Sequence, residues 1–328
     1  MWGHRIRVLA VVGAAAMVLP SQVWAHGSGS PTATSFVARL REVPAGVKAR
    51  IVDGDQRLWL RVQPGRTVTV LGFQGEPYLR FSSAGVEVNE RSLAFYLNRS
   101  RPRAIPHGLD ALASPDWHRV ASGPSYSWHE DRLHSLAAAA RRPGSALVGT
   151  WTIPVLEQGK RLQLLGTLRY SPDPSPLWFW PVAVVLLSLP ALLRLRRGDL
   201  DRAALIMLSA VTLAALVLAR VGRELYGRPD VSARSGLSLL LTCAVALLLA
   251  AGLTSSEWRT VAALLIGSAG VYEGIALLGT FLRGHVLAAL PADVERAAAV
   301  ACLSCGAALL IVVLVDRSTS PPGRARSA

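Results

Sequence analysis

The spacing of apolar and polar residues changes once along this chain. Between about residues 36 and 170, apolar and polar positions alternate in short runs, which is the pattern of strands with one buried face. Val47–Val52 and Arg57–Val62 are two such runs, and the turn-forming residues Asp53-Gly54-Asp55 separate them. Beyond residue 176 the apolar runs become long and continuous. The sequence therefore predicts a β-rich domain followed by a helical domain.

More short strands follow the first two. They are predicted at Thr67–Phe73, Tyr78–Phe81, Val86–Val88, Thr150–Leu156 and Arg161–Tyr170, the last two joined by Gln158-Gly159. Many short strands with glycine and proline turns, and no long helical pattern, favour an antiparallel β-sandwich-like domain over residues 36–170. Residues 98–143 lack a clear period, so we expect a long irregular segment packed over the sheet.

Five apolar segments of 17 to 22 residues follow the β-rich domain. They are Leu177–Leu193, Ala203–Val221, Leu237–Leu253, Val261–Leu282 and Ala297–Val315. At about 1.5 Å per residue, each is long enough to cross a hydrocarbon core of about 30 Å. The predicted fold is therefore an exported antiparallel β-sandwich-like domain followed by a bundle of five transmembrane helices.

The amino terminus has the three parts of a secretory signal peptide. Residues 1–25 combine a basic start, an apolar core and the small-residue pattern Val23-Trp24-Ala25 before the expected cleavage site. A disordered leader is predicted at residues 26–35, a proline-rich stalk at 171–176 and a cytoplasmic tail at 316–328. Export of the β-rich domain and five crossings place the carboxyl terminus in the cytoplasm of a bacterial cell, in agreement with the sign of a weak arginine bias.

Composition and charge narrow the class of partner. The hydrophobic fraction is 51% and is concentrated in the second half, as in a membrane protein. The net charge of +14 comes almost wholly from arginines, which are scattered and do not cluster on one element as in a nucleic-acid-binding protein. We therefore expect no nucleic-acid partner; a lipid bilayer, an anionic envelope polymer or another envelope or membrane protein fits better. The three cysteines all lie in apolar segments, which leaves the β-rich domain without a disulfide.

One group of histidines and carboxylates could ligate a transition metal. Its members are His129, Glu130, Asp131 and His134, with His26 as the first residue after the expected cleavage site. Imidazole and carboxylate are ligands for copper and zinc, and copper is the favoured candidate. The spacing is not one of the strong metal motifs, and the alternative is a loop with a buried histidine–carboxylate pair and a packed Trp128. No nucleophile motif such as G-x-S-x-G accompanies these residues, so they do not favour an enzyme.

A second polar group surrounds the turn after residue 72. Glu76 and Arg80 are predicted to pair, with Tyr78 and Asn98 completing the network. The alternative is a ligand cleft formed by the same four residues.

The apolar half contains a carboxylate that needs an explanation. Glu273 lies within the fourth segment, where an unpaired charge is costly. We expect it to pair with Arg220 or Arg223 at the end of the second segment, and the alternative is an ion, proton or metal pathway with His285 at its mouth. Gly270 and Gly274 have the spacing that lets a neighbouring helix approach closely.

Two cysteines of the last segment lie three residues apart on one helical face. Cys302 and Cys305 are compatible with Cu(I) binding, with a redox pair, or with small packing residues.

The β-rich domain contains the four motifs GDQRLWLRV, GEPYLRF, YLN and WHEDRLH. Together they resemble an uncharacterised family of membrane-anchored exported proteins of GC-rich bacteria, and the last motif is similar to the family pattern W-H-D-H-R-x-H. Trp128, His129, Arg132 and His134 match that pattern, whereas Asp131 replaces a histidine. The resemblance implies the same architecture and no established activity. Two hypotheses follow: a membrane-anchored extracytoplasmic binding protein that handles copper or another transition metal, or an envelope scaffold or interaction protein with no metal.

Overall fold

The computed structural model describes residues 31–98, 104–135, 146–182, 184, 188, 198–226 and 233–319. The chain divides into two compact units. Thr34–Pro172 form a β-rich unit, and the residues on either side of it belong to a helical unit. The predicted signal peptide and His26 lie outside the described residues.

The described residues contain twelve strands. The first spans the boundary between the two units, the next ten lie in the β-rich unit, and the last lies in the helical unit. They are β1 (Ala33–Thr34), β2 (Phe36–Glu42), β3 (Val47–Val52), β4 (Arg57–Val62), β5 (Val68–Leu71), β6 (Pro77–Ser82), β7 (Gly85–Asn89), β8 (Trp117–Ala121), β9 (Ser125–His129), β10 (Leu147–Glu157), β11 (Lys160–Tyr170) and β12 (His285–Val286). A large antiparallel sheet has the order β2-β11-β10-β5-β6-β7-β8, and a small one has the order β3-β4-β9.

Tight turns set the register of the hairpins. Gln158 and Gly159 join β10 to β11 with φ angles of 48° and 80°, the left-handed conformation that a two-residue hairpin turn requires. Asp53 and Gly54 have similar angles, 58° and 77°, in the loop between β3 and β4. Both turns were predicted from the sequence.

The two sheets share one hydrophobic core. Leu58 and Leu60 of the small sheet and Leu79, Phe81 and Ile153 of the large sheet are fully buried in it. Alternation along each strand sends these side chains to one face, so both sheets turn an apolar face inward. This unit has the antiparallel strands that the alternating pattern predicts.

Residues 98–143 contain more structure than the sequence predicts. The short strands β8 and β9 lie there, followed by a single 3₁₀ turn at Asp131–Leu133. The two strands are only five residues long, and they pair with different sheets. Each pairing is with a strand distant in sequence, so local alternation gives little signal. A short helix, α1 (Leu93–Leu97), precedes this segment and begins at the cap Ser92.

The ends of the β-rich unit lie side by side. Phe36 at the start of β2 pairs with Tyr170 at the end of β11, and their ring centroids are 5.6 Å apart. The Ser171 N–H donates to the Ser35 carbonyl at 2.8 Å. The chain therefore enters this unit through β2 and leaves it through the neighbouring strand β11.

The helical unit contains five helices beyond residue 197 among the described residues. They are α2 (Gly198–Leu225), α3 (Ala233–Thr254), α4 (Arg259–Ala276), α5 (Gly279–Leu282) and α6 (Ala292–Thr319). Four candidate membrane spans result, at Arg202–Leu225, Gly236–Thr254, Arg259–Leu282 and Ala292–Val313. They match the second to fifth predicted segments. The first predicted segment, Leu177–Leu193, lies largely outside the described residues, apart from a 3₁₀ turn at Pro176–Phe179 and a few residues after it.

Helices α4 and α6 approach each other closely at glycines. A Cβ atom on Gly274 would lie 2.8 Å from the backbone nitrogen of Leu303, and one on Gly270 would lie 2.9 Å from the carbonyl oxygen of Cys302. Side chains at these positions would therefore meet backbone atoms of the neighbouring helix. The small-residue spacing of Gly270 and Gly274 has the packing role that the sequence predicts.

Candidate functional sites

A buried carboxylate, Glu130, is the centre of the WHEDRLH motif. Its side chain is 0% exposed, and Arg132 contacts both of its oxygens, Nε to Oε1 at 2.6 Å and Nη2 to Oε2 at 2.8 Å. The Trp128 Nε1–H donates to Oε2 at 2.9 Å, and Asn98 Nδ2 donates to the same oxygen at 3.3 Å. Both oxygens of the Glu130 carboxylate therefore accept hydrogen bonds from neighbouring side chains.

Arg132 connects this carboxylate to the neighbouring loop. Its Nη1 donates to the Leu71 carbonyl at 2.9 Å, and its guanidinium carbon lies 5.1 Å from the centroid of the Phe73 ring. The Asn98 Oδ1 accepts a hydrogen bond from the Asp131 N–H at 2.9 Å. The cluster thus joins the end of α1, the end of β5 and the 3₁₀ turn, so its first role is structural.

Tyr78 belongs to the same cluster. It is the extra residue in a bulge of β6, because Leu71 pairs with Pro77 and Val70 pairs with Leu79. Burial raises the pKa of Tyr78 well above its ordinary value, and the charge of Glu130 raises it further. The phenol is therefore protonated at every physiological pH, and its hydrogen bond to Asn98 adds to the network.

The predicted network of Glu76, Tyr78, Arg80 and Asn98 divides into separate groups. Arg80 lies directly opposite Glu87 on the adjacent strand and pairs with that residue at 2.7 Å, so the expected Glu76–Arg80 pair is not formed. Arg80 also lies over the Trp117 ring, 4.5 Å from its centroid. The physical reason is the pairing of β6 with β7, which places Arg80 beside Glu87 and away from the turn.

Glu76 instead holds its own turn together. Its carboxylate accepts hydrogen bonds from the Gln74 N–H at 2.8 Å, the Ser92 hydroxyl at 2.7 Å and the Ala94 N–H at 3.3 Å. A Cβ atom on Gly72 would collide with this carboxylate, so a larger residue there would displace Glu76 from these donors. Glu76 thereby fixes the start of α1 against the β5–β6 loop.

His134 forms a histidine–carboxylate contact with the buried Asp55. Its Nδ1 lies 2.5 Å from Oδ2 of Asp55, whose side chain is 1% exposed, while the His134 side chain is 47% exposed. The hydrogen bond to Asp55 is the main reason that the pKa of His134 is raised above 6.5. Asp55 was identified from the sequence only as a turn residue; its partner lies 79 residues away, and no local pattern reveals it.

Two of the predicted metal ligands are paired with other side chains. Glu130 is engaged by Arg132 and His134 by Asp55, and His26 lies outside the described residues. Burial, the largest cause, lowers the pKa of His129, while Asp131 and Glu130 oppose that shift. Among the described residues, no three or more His, Cys, Asp and Glu side chains are placed so that they could hold a metal ion. Metal binding stays a prediction.

The two histidines predict opposite pH dependences of stability. Because the pKa of His134 is raised, its contribution is complete below pH 6.5 and is lost as the pH rises through the higher folded value. Because the pKa of His129 is lowered, this residue reduces the free energy of unfolding only as the pH falls below 6.5. We expect the free energy of unfolding of the β-rich unit to fall above pH 6.5, by no more than about 1 kcal/mol since His134 is half exposed.

Urea-dependent pulse proteolysis of the full chain at a series of pH values measures this change. His134→Gln should abolish the loss above pH 6.5. The control is His118→Gln, which removes an exposed histidine 3.2 Å from Asp116. An unchanged slope in His134→Gln would contradict the assignment.

The outer face of the small sheet is basic. Inward positions of β3, β4 and β9 belong to the core, so the alternate positions point away from it. Five of those outward residues, here called the basic face, are Lys48, Arg50, Arg57, Trp59 and Arg61. The remaining outward positions are Val52, Ser125, Ser127 and His129, so these three strands place no acidic residue there. Lys48, Arg50 and Arg61 are exposed.

The cross-strand register brings like charges together on this face. Lys48 lies directly opposite Arg61, and Arg50 lies directly opposite Trp59. Directly opposed like charges destabilise a sheet. On the other side of β4, the small residues Ser125 and Ser127 lie opposite Arg61 and Trp59. These cations look scattered in the sequence, because only the register of the strands shows that they share a face.

In the helical unit, the expected pair of Glu273 with an arginine is present. The partner is Arg223 of α2, which contacts Oε1 of Glu273 through Nη2. His285 lies in the short strand β12, and both Cys302 and Cys305 of α6 are free thiols. Cys302 is buried behind Gly270, which favours the packing role among its three alternatives.

Glu295 is another buried carboxylate of this unit, and it was not predicted from the sequence. It lies in the first turn of α6, two residues before the predicted apolar segment, and is 0% exposed. The only local signal was a glutamate next to that segment.

These observations define a β-rich unit joined to helices that have the length and apolar character of membrane spans. No protein-family model, no curated protein and no solved structure matches the chain.

Proposed function

We propose that this protein is a membrane-anchored extracytoplasmic binding protein whose basic face binds an anionic polymer of the cell envelope. In this proposal the signal peptide of residues 1–25 exports a β-sandwich. Five helices, the first at Leu177–Leu193, anchor the sandwich in the membrane and leave the carboxyl terminus in the cytoplasm. The proposal combines the exported binding protein with the interaction module expected from the sequence, and assigns no enzymatic activity.

The arrangement of charge on the small sheet is the observation that carries the proposal. Four cations and one tryptophan share one face of the two neighbouring strands β3 and β4. Neighbouring strands are about 5 Å apart and alternate residues on a strand about 7 Å apart, so the cations form a short two-dimensional array. A polymer with repeated negative groups can contact several of them at once.

The cost of this arrangement supports a binding role. Lys48 and Arg61 lie directly opposite each other across the strand pair, and like charges in that arrangement destabilise a sheet. An anionic ligand would remove that repulsion when it binds. Trp59, with only Ser127 opposite it on β9, offers an apolar ring surface on which a sugar ring can stack.

Metal binding is the second candidate, and His134 is the observation that favours it. A buried carboxylate on one ring nitrogen is the usual support of a metal-ligating histidine, because it fixes the ring and the tautomer. The neighbouring His129 has a lowered pKa and so is neutral at neutral pH, as a ligand must be. The same contact with Asp55 raises the pKa of His134, so a copper ion would have to displace a proton there.

Binding of dextran sulfate to the full chain in nanodiscs of zwitterionic lipid tests the first candidate. We expect Lys48→Gln/Arg50→Gln/Arg61→Gln to weaken binding by about 3 kcal/mol, roughly a hundredfold, at about 1 kcal/mol per basic residue. The salt dependence should also become shallower, since fewer counterions are released. Calorimetry at several salt concentrations measures both effects.

The matched control removes two arginines and one lysine from elsewhere on the β-rich unit: Arg39→Gln/Arg41→Gln/Lys160→Gln, all three of them exposed residues. Neutral dextran tests whether charge is needed. Equal losses in the two triple variants, or equal binding of neutral dextran, would contradict the proposal. Copper bound at one equivalent and lost in His134→Ala would instead favour the second candidate.

A further inference from the structure

The carboxylate of Glu295 is buried without a hydrogen-bond partner. Neither of its oxygens has one among the described residues, and the side chain is 0% exposed. It lies against the backbone of α2 at Gly222, where a Cβ atom would collide with Oε1. An ionised carboxylate in such a place is unstable unless a proton or a counter-charge accompanies it.

Glu295 shares its surroundings with the Arg223–Glu273 pair. Arg223 is the residue next to Gly222, and the charges of Arg223 and Glu273 both act on Glu295. The Nε of Arg223 also has no partner among the described residues. The group therefore contains two carboxylates from α4 and α6 and one guanidinium from α2.

One arginine can balance only one of the two carboxylates. Arg296, the next residue on α6, uses its guanidinium elsewhere: it donates to the Thr280 carbonyl at 3.0 Å and to the Gly284 carbonyl at 3.0 Å, and contacts Asp293 at 3.4 Å. Other titratable or charged groups on the elements around this end are Arg220 and Glu224 of α2, His285 of β12, Arg283, and Asp293 and Cys302 of α6.

A proton fits the remaining negative charge better than a metal ion does. Arg223 lies within the group and would repel a second cation, whereas a proton bound to one carboxylate removes the charge without needing further ligands. Among the described residues, no three His, Cys, Asp and Glu side chains converge here as metal ligands.

We propose that Glu273 and Glu295 together carry one proton in the helical unit, while Arg223 balances the carboxylate that stays ionised. Two carboxylates that act on each other give up their protons in two steps, so one proton can stay on the group while the other carboxylate is ionised. The helices therefore carry a protonatable site as well as an anchor. This site does not depend on the ligand of the β-rich unit.

Infrared spectroscopy of the full chain in nanodiscs tests this assignment, because a protonated carboxylic acid has a carbonyl stretch that a carboxylate lacks. We expect one such band at neutral pH, falling about tenfold per pH unit above its apparent pKa. Glu295→Gln and Glu273→Gln should each abolish the band, since the remaining carboxylate then pairs with Arg223. Arg223→Gln should about double it, because neither carboxylate keeps a counter-ion.

Asp293→Asn is the matched control, because Asp293 lies on the same turn of α6 with a side chain that is 76% exposed. This variant should keep the band. Carbon-13 labelling of the glutamate carboxyls in the unsubstituted protein should shift the band, which gives a test that needs no variant to fold. The proposal is overturned by a neutral-pH spectrum without the band, by its survival in either glutamine variant, or by its loss when sodium is added at constant pH.

Discussion

Glu130→Gln is expected to lower the free energy of unfolding of the β-rich unit by about 3–5 kcal/mol, the usual cost of breaking a buried ion pair by removing one partner. The substitution keeps the shape of the side chain and removes its charge. The guanidinium of Arg132, with a side chain only 12% exposed, then has no anion. Three elements are connected through this pair, so the whole unit should unfold at lower urea concentration.

Glu87→Gln is the control for that result. The Arg80–Glu87 pair has a similar length, 2.7 Å, but its side chains are 39% and 29% exposed. Water therefore screens this pair, and its loss should cost about 0–1 kcal/mol. Pulse proteolysis of both variants in urea compares them directly. A cost of Glu130→Gln no larger than that of Glu87→Gln would show that the buried cluster does not hold the unit together.

Gly274→Ala is expected to lower the free energy of unfolding of the helical unit by about 1–3 kcal/mol, because overpacking forces neighbouring groups apart. The new Cβ would lie 2.7 Å from the Cβ and 2.8 Å from the Cα of Leu303. These atoms are close to or part of the α6 backbone, so no change of rotamer can move all of them away. Helices α4 and α6 must then separate.

Gly236→Ala is the matched substitution on another helix of the same unit. No atom lies within 4 Å of a Cβ placed at Gly236 in α3. Alanine should stabilise that helix by up to about 1 kcal/mol, from propensity alone. The thermal midpoint of the detergent-solubilised protein measures both changes. If Gly274→Ala were neutral, the close approach of α4 and α6 would not contribute to stability.

The parts of the fold that the sequence predicts are those with strong local patterns. Continuous apolar runs identify the four described spans, and Gln158-Gly159 identifies its hairpin, because both depend on neighbouring residues. The strands β8 and β9 were missed because each is short and pairs with a strand distant in sequence. Their stability comes from tertiary contacts, which local alternation does not record.

The candidate sites also differ in how far the local sequence predicts them. The Glu273–Arg223 pair could be expected, since a charge in an apolar segment requires a partner. The WHEDRLH motif was interpreted either as a metal site or as a loop with a histidine–carboxylate pair and a packed Trp128. The second interpretation describes the buried Trp128 and the contact of His134, but the carboxylate partner is Asp55 and not a neighbour in the motif. The basic face can be recognised only from the register of β3 with β4. The burial of Glu295 can be recognised only from the packing of its carboxylate against Gly222 of α2.

The adjacent ends of the β-rich unit have a mechanical consequence. Because Phe36 and Tyr170 pair at one end of two antiparallel strands, tension applied through the flanking chain acts across the β2–β11 hydrogen bonds and loads them one after another. Such bonds open in sequence, as a zipper does, and not all together. The same closeness, about one strand spacing, means that the unit can be excised or exchanged at a single point of the chain without stretching what remains.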